Sequence, residues 1–288
     1  MRKRLTIIST IFLTVSLFSQ KANQTIIKDS ISTKKVDISR LKLLAYDGKA
    51  ALGSVLNGFA QPVRWDGEDL LILGGVAAST AILYAFDDDT QRFFNNQKDD
   101  IPKEILDFGF RLGKPLFNYG LTTGIYVTGL ITKNEKIRKT GVLLISSATV
   151  GGLIQSVVKT LAGRARPDTG RGRDELRFYD TRAGFHSLPS GHTVLSVTLA
   201  HAIAKQFKNP FVKGGIYAIG AVSPISRMWL GAHWLTDVFL GAALSIAVVE
   251  GVDHYMKRKE LYGYDKKTAG IQWNLSVGAG SIGITGRF

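Results

Sequence analysis

The 288-residue chain contains no cysteine. A disulfide scaffold, a thiolate metal site and a cysteine nucleophile are therefore excluded. Acid is scarce relative to base: 37 Lys and Arg against 23 Asp and Glu leave a net charge of +14. The imbalance points to an anionic partner, and nucleic acid, anionic lipid and phosphorylated substrate all qualify on charge alone. Intrinsic disorder as the main state is excluded, because 45% of the residues are hydrophobic. There is no internal repeat and no long low-complexity segment. Most apolar runs fall short of the roughly 20 residues a membrane-spanning helix needs.

What is present divides the chain into four parts. Arg2, Lys3 and Arg4 precede an apolar run of 14 residues, Leu5 to Phe18, and Ser19 is a small residue at a plausible cleavage point. Residues 1–19 therefore read as an export signal peptide or an uncleaved anchor. Residues 20–68 form an amphipathic N-terminal region. Within it Leu41, Leu44, Leu52, Val55 and Leu56 recur at helical spacing, which predicts one or two surface helices lying on the main domain or on a bilayer. Residues 69–256 hold six apolar runs: Leu70–Phe86, Leu116–Ile131, Gly141–Val158, Thr193–Ala204, Gly214–Ile225 and Trp234–Val249. All mix Gly, Ala, Ser and Thr with Leu, Ile and Val, a composition that lets helices pack closely inside a membrane. The expectation is an all-α protein with a six-helix core bundle, membrane-embedded and multi-pass. A soluble bundle of buried helices is the alternative. Residues 257–288 form a tail in which Trp273, Leu275, Val277 and Ala279 alternate, and the phase flips after Gly280 to Ile282, Ile284 and Phe288. That pattern predicts a short C-terminal β-hairpin.

Loop charges bear on orientation. Lys133, Lys136, Arg138 and Lys139 crowd one loop, Lys205, Lys208 and Lys213 a second, and Lys257, Arg258 and Lys259 follow the last run. The positive-inside rule assigns these to the cytoplasm. Asp87–Asp89, residues 159–192 and residues 226–233 would then lie outside. An export signal gives the opposite parity, so either one run does not cross or the bundle does not span.

Three polar clusters interrupt the apolar helices. The first is Lys159 followed after six residues by Arg166-Pro167. The second is Pro189-Ser190-Gly191-His192. Ser190 ahead of an apolar run is a good helix N-cap, and the amides of a helix N-terminus favour an anion. Gly191 lets a ligand approach the backbone, and His192 falls on the first turn. The third cluster is Ser226-Arg227, five residues, His233, three residues, Asp237. If that segment is helical, His233 and Asp237 share a face, and the carboxylate can fix the imidazole tautomer and support positive charge on it. Lys159, Arg166 and Arg227 supply three cations, and arginine presents a planar fork that matches phosphate oxygens.

Together the three clusters resemble the signature of the phosphatidic acid phosphatase type 2 / vanadium haloperoxidase superfamily. All eleven fixed residues are present in order, with 21 residues between Pro167 and Pro189 and 33 between His192 and Ser226. The resemblance implies a hydrolase working through a phosphohistidine intermediate. His233 would attack phosphorus, Asp237 would orient and charge-balance it, and His192 would protonate the leaving oxygen and then activate water. Lys159, Arg166, Ser190, Gly191 and Arg227 would hold the phosphate oxygens. No metal or other cofactor is implied, and near the motifs no cluster of carboxylates or histidines shows ligand spacing. The expected partner is a phosphorylated lipid in a membrane, with no nucleic acid. Phosphatidic acid, phosphatidylglycerol phosphate, a polyprenyl pyrophosphate and lipid A phosphate are candidates. The expected location is the envelope of a bacterium, with the site facing the periplasm. Competing readings are a vanadium-dependent haloperoxidase, a soluble periplasmic phosphatase on small phosphoesters, and a non-enzymatic envelope or nucleic-acid-binding protein. His201, on an apolar helix, reads as a satisfied structural residue.

Overall fold

A computed structural model describes residues 39–263, together with the backbone of two short strands near the C-terminus. The expected signal or anchor at 1–19 and the polar stretch that follows it lie outside the described residues, as do Ala279, Gly280 and Phe288 of the alternating tail.

The described residues form nine α-helices: α1 (Arg40–Phe59), α2 (Gly67–Tyr84), α3 (Asp87–Gln97), α4 (Lys103–Leu112), α5 (Pro115–Ile131), α6 (Glu135–Ala162), α7 (Gly191–Ala204), α8 (Pro210–Trp229) and α9 (Leu235–Arg258). Local chemistry marks their starts. Ser39, Asn134, Ser190 and Asn209 cap α1, α6, α7 and α8 through their side chains, and Asp66 and Asp69 form a reciprocal capping box on α2. Pro115 and Pro210 sit where a helix can spare an N–H. Near the C-terminus β1 (Gln272–Gly278) pairs antiparallel with β2 (Ser281–Arg287), Gly278 opposite Ser281.

The six apolar runs fall on α2 and α5 to α9, but the core is not shared evenly among them. Its buried residues come mainly from α1, α6, α7 and α9, among them Ala50, Leu143, Val150, Leu199, Val249 and Met256. Helix α2 buries no residue at all. Its apolar composition therefore faces outward, with Leu71 78% exposed. Helices α2, α6 and α9 are long and apolar enough to cross a membrane. The 28 residues of α6 extend about 40 Å, more than a hydrocarbon core of about 30 Å.

In helix α1 the leucine stripe turns away from the neighbouring helices. Asp47, Ala50, Ser54, Asn57 and Gly58 are the buried residues, while Leu41, Leu44, Leu52 and Leu56 point outward. Small and polar side chains are what allow close helix contact when the surroundings are apolar. Asp87–Asp89, read as loop charges, instead open α3 as its first turn, where acids suit the helix dipole. Lys257 and Arg258 belong to the last turn of α9 rather than to a following loop.

The helix ends sort into two sets. At one end Arg40 donates to the Ile131 carbonyl, Lys136 to the Gln206 carbonyl, and Lys205 and Lys257 pair with Asp253 at 3.1 and 2.9 Å. Lys136, Arg138 and Lys139, expected in a loop, lie in the first turns of α6, and the basic helix ends gather together at this end. His201 lies at this end, between the Tyr217 hydroxyl and Glu250 at 2.7 and 2.8 Å. The opposite end holds the segments 85–114, 163–190 and 230–234.

Asp47 and Arg138 lock α1 to α6. Arg138 Nε and Nη2 donate to the two Asp47 oxygens at 2.8 and 2.9 Å, and the Tyr126 and Tyr262 hydroxyls donate to the same carboxylate at 3.1 and 2.9 Å. Both charges are buried, so removing one strands the other. Asp47→Ala should lower stability by about 3–5 kcal/mol, while Asp47→Leu with Arg138→Met should cost less than Asp47→Ala alone. Chemical denaturation of the purified variants tests the ordering.

Candidate active site

The site assembles where α6 ends. Lys159 lies in the last turn, and Gly163 stops the helix in a left-handed conformation at φ 52°. A side chain there is doubly forbidden, because its Cβ would fall 1.7 Å from the Arg177 carbonyl oxygen. The chain then runs as Arg164-Ala165-Arg166. Arg166 N donates to Gly184 O at 2.8 Å, and Ser187 N to Arg164 O at 3.1 Å, so the long loop folds back on its own start.

Arg164 was not singled out by the motif, although it lies within its first spacer. It is buried. Nη1 donates to Asp237 Oδ1 and Thr236 Oγ1, Nη2 to Asp87 Oδ2, each at 2.7 Å, and Nε to the Arg173 carbonyl at 3.0 Å. Thr236 in turn donates from N and Oγ1 to Asp87. Burial works against the charge of Arg164, but Asp237 and Asp87 outweigh it and hold its pKa above the ordinary value.

His233 and Asp237 are not on one helical face. His233 precedes α9, and Trp234 is its extended N-cap. Asp237 is fully buried. Its Oδ2 accepts from Trp234 N at 2.8 Å and from the Ser187 hydroxyl, and its backbone carbonyl accepts from Ser190 N at 3.0 Å. His233 Nδ1 stands 3.7 Å from Asp237 Oδ2, an ion-pair distance rather than a hydrogen bond. Burial pushes the His233 imidazole down to about 4, against the Asp237 carboxylate, which pulls it up. Arg166 is likewise lowered by burial, opposed by Asp168 and Asp237.

His192 sits on the first turn of α7, capped by Ser190, whose Oγ accepts from Thr193 N at 3.4 Å. Its ring stacks on Phe110, with centroids 5.2 Å apart and planes at 19°. Arg227 lies over the same ring at 5.1 Å and Lys114 at 4.4 Å. Gly113 leaves room for this stack, since a Cβ there would approach His192 Cδ2 to 2.5 Å. Neither Phe110 nor Gly113 is marked by composition or by a charge.

Lys159, Arg166, Arg227, His192 and His233 lie within electrostatic reach of one another. Lys159, Arg166, Gly191 and His192 line a cavity of about 540 Å³ that runs down between α5 and α6 past Tyr119 and Gly152. His233 and Arg227 are not among its lining residues. Four buried polar atoms of the site have no hydrogen-bond partner among the described residues: Arg166 Nε, Arg227 Nε, His192 Nε2 and His233 Nδ1. No group of three or more His, Asp or Glu side chains suited to a metal occurs among the described residues.

Residues 140–260 match the PAP2 superfamily. All of the clustered residues but Phe110, Gly113, Lys114 and Asp87 fall inside it. The chain is 29% identical over 126 residues to a lipid A 4'-phosphatase of Porphyromonas gingivalis, covering 42% of this chain and 51% of that protein. It is 30% identical to phosphatidylglycerophosphatase B of Bacillus subtilis, covering 42% and 63%. The chain thus spans about half to two-thirds of these relatives' length. A transmembrane PAP2-type phosphatidylglycerolphosphate phosphatase of Bacillus subtilis is a structural neighbour. It shows 23% identity, coverage of 64% of this chain and 95% of that one, and a TM-score of 0.46.

The buried His233–Asp237 pair makes a specific titration expected. His233 should stay neutral until the pH falls to about 4. Asp237→Asn should move that midpoint lower, because the carboxylate is what pulls it up. An unfolded histidine takes its proton near 6.5, so the unfolded chain binds more protons between about 6.5 and 4. Stability should therefore fall as pH drops through that window. NMR titration of the imidazole, with denaturation at pH 7 and 5, checks both; a His233 midpoint at or above 6.5 contradicts them.

Proposed function

We propose that the protein is a metal-independent phosphohydrolase that removes phosphate from a lipid phosphate or polyprenyl pyrophosphate through a phosphohistidine. The observation that carries this reading is the set of buried, unpartnered polar atoms on Arg166, Arg227, His192 and His233 within one electrostatic cluster. Buried donors are rarely left unpaired, and phosphate oxygens would satisfy the two guanidinium groups.

In the first step a neutral His233 attacks phosphorus through Nε2, the nitrogen not facing Asp237. The P–N bond forms as the P–O bond to the leaving group breaks, and His192 gives that oxygen a proton. Asp237 stabilises the imidazolium that develops. In the second step His192 takes a proton from water, which attacks phosphorus, and the P–N bond breaks to release phosphate and His233. Lys159, Arg166, Ser190, the Gly191 amide and Arg227 hold the oxygens and offset the charge that builds on them. Low basicity from burial keeps His233 available as a nucleophile at neutral pH.

The lipid preference is supported by apolar helices that expose leucine outward and by a cavity that runs from Lys159 down between α5 and α6. The names of the relatives agree with it. The periplasmic orientation is supported by the basic loops lying at the other end of the bundle.

His233→Ala should abolish turnover, and His192→Ala should slow it by about 10²–10⁴. Asp237→Asn should cost less than His192→Ala, because an amide keeps the cap on Trp234. The assay is phosphate release from phosphatidic acid, phosphatidylglycerol phosphate, undecaprenyl pyrophosphate, lipid A and p-nitrophenyl phosphate, with EDTA present and vanadate as inhibitor. Wild-type turnover by His233→Ala defeats the mechanism, and release from p-nitrophenyl phosphate alone defeats the lipid assignment. Halide oxidation in the presence of vanadate and peroxide would favour the haloperoxidase reading.

Orientation has its own test, made clean by the absence of native cysteine. Thr181→Cys should react with a membrane-impermeant maleimide in intact spheroplasts, and Lys208→Cys only after lysis. The reverse pattern would put the site in the cytoplasm.

A further inference from the structure

The loop between Arg166 and Ser190 carries a second arginine cluster that the phosphoryl chemistry above does not use. The guanidinium carbons of Arg171, Arg177 and Arg182 lie 5.3, 4.6 and 4.9 Å from the centre of one ring, that of Phe185. No two of them can then be more than about 10 Å apart. Phe185 is buried, whereas the three arginine side chains are 40%, 41% and 62% exposed. The ring is the platform and the forks are its open edge.

The position of that platform is set by the site. The two residues flanking Phe185 both accept from Arg166: Gly184 O from the backbone N at 2.8 Å, and His186 O from Nη2 at 3.3 Å. Two carboxylates orient the forks. Glu175 Oε1 accepts from Arg171 Nη1 at 2.6 Å and from Arg177 Nε at 3.1 Å, and Asp180 pairs with Arg182 Nε and Nη2. Three cations against two anions leave a surplus positive charge. Each guanidinium has five N–H donors, so several remain for a ligand.

We propose that Arg171, Arg177 and Arg182 form a second anion subsite. It takes a further phosphate or carboxylate borne by the same lipid headgroup whose first phosphate is held by Arg166. The proposal rests on the phosphohydrolase reading for its substrate class. Arginine suits this role because its fork accepts two oxygens at once.

The test is a binding measurement, so that it does not depend on turnover. Lipid A with two phosphates and monophosphoryl lipid A are titrated, in detergent micelles, against the full-length chain carrying His233→Ala. The two-phosphate lipid should bind about tenfold more tightly, the scale of one charge-assisted contact. Arg171→Gln/Arg177→Gln/Arg182→Gln should remove the ratio and leave the monophosphoryl affinity unchanged. The single Arg182→Gln, at the most exposed position, should reduce the ratio with an unaltered melting temperature. A ratio near one in the parent, or equal weakening of both lipids by Arg182→Gln, overturns the subsite. Absence of phosphate release by the wild-type chain would instead count against the phosphohydrolase reading, and the binding ratio would still decide the subsite.

Discussion

The guanidinium of Arg164 reaches three parts of the chain that are distant in sequence: Asp87 at the start of α3, Thr236 and Asp237 at the start of α9, and the Arg173 carbonyl in its own loop. A buried ion is costly unless its hydrogen bonds are met, and here four are. The two carboxylates leave an excess negative charge, and Lys159 and Arg166 lie within electrostatic reach of Asp237. Each group is therefore a condition for burying the others. The result is positional: Asp237 has little freedom, and through the Trp234 N–H it fixes where α9 begins and where His233 must stand.

Backbone bonds carry the same constraint to the remaining clusters. Ser190 N donates to Asp237 O, so the N-terminus of α7, with His192 on it, shares a frame with His233. Asp168 N donates to Gly231 O at 2.8 Å, and Ala232 N to Arg227 O at 2.9 Å, which ties the loop after Arg166 to the turn after α8. Three motifs separated by tens of residues are thus held in register by main-chain contacts, which leave no side-chain signature in the sequence. Rigid placement of this kind is what a phosphoryl-transfer site needs, since positioning and charge supply most of its catalysis.

That division explains what could be read in the chain beforehand. Lys159, Arg166, His192, Arg227, His233 and Asp237 were visible because three polar clusters at recognisable spacing stand within or beside the apolar runs. The six apolar runs located six helices by their composition. Arg164 and Asp87 were passed over because a charge in a polar loop looks solvated until the fold buries it. Helix α3 was missed because its composition, DDDTQRFFNNQ, is that of a loop, and α4, KEILDFGFRL, because its apolar residues alternate with charges over only ten positions and make no apolar run. Phe110 and Gly113 matter through a ring stack and a close approach, and neither leaves a periodic trace. The helical pairing of His233 with Asp237 failed on a boundary: α9 begins two residues after His233.

The inverted face of α1 follows from the surroundings the fold needs. Periodicity correctly located the helix, but the sense of the pattern depends on the solvent. In water the leucine stripe of α1 would turn inward. Here Asp47, Ser54 and Asn57 do so, and the same inversion recurs on α5, where Asn118 and Thr122 are buried and Leu116 is 89% exposed. An apolar exterior over a polar interior is stable only where the exterior meets hydrocarbon. Arg138 and Lys159 mark the polar limits of α6, and the 20 residues between them extend about 30 Å, the thickness of a hydrocarbon core. On the proposed reading the reacting phosphate then lies at headgroup depth, held by a site whose apolar walls continue toward the chains of its lipid.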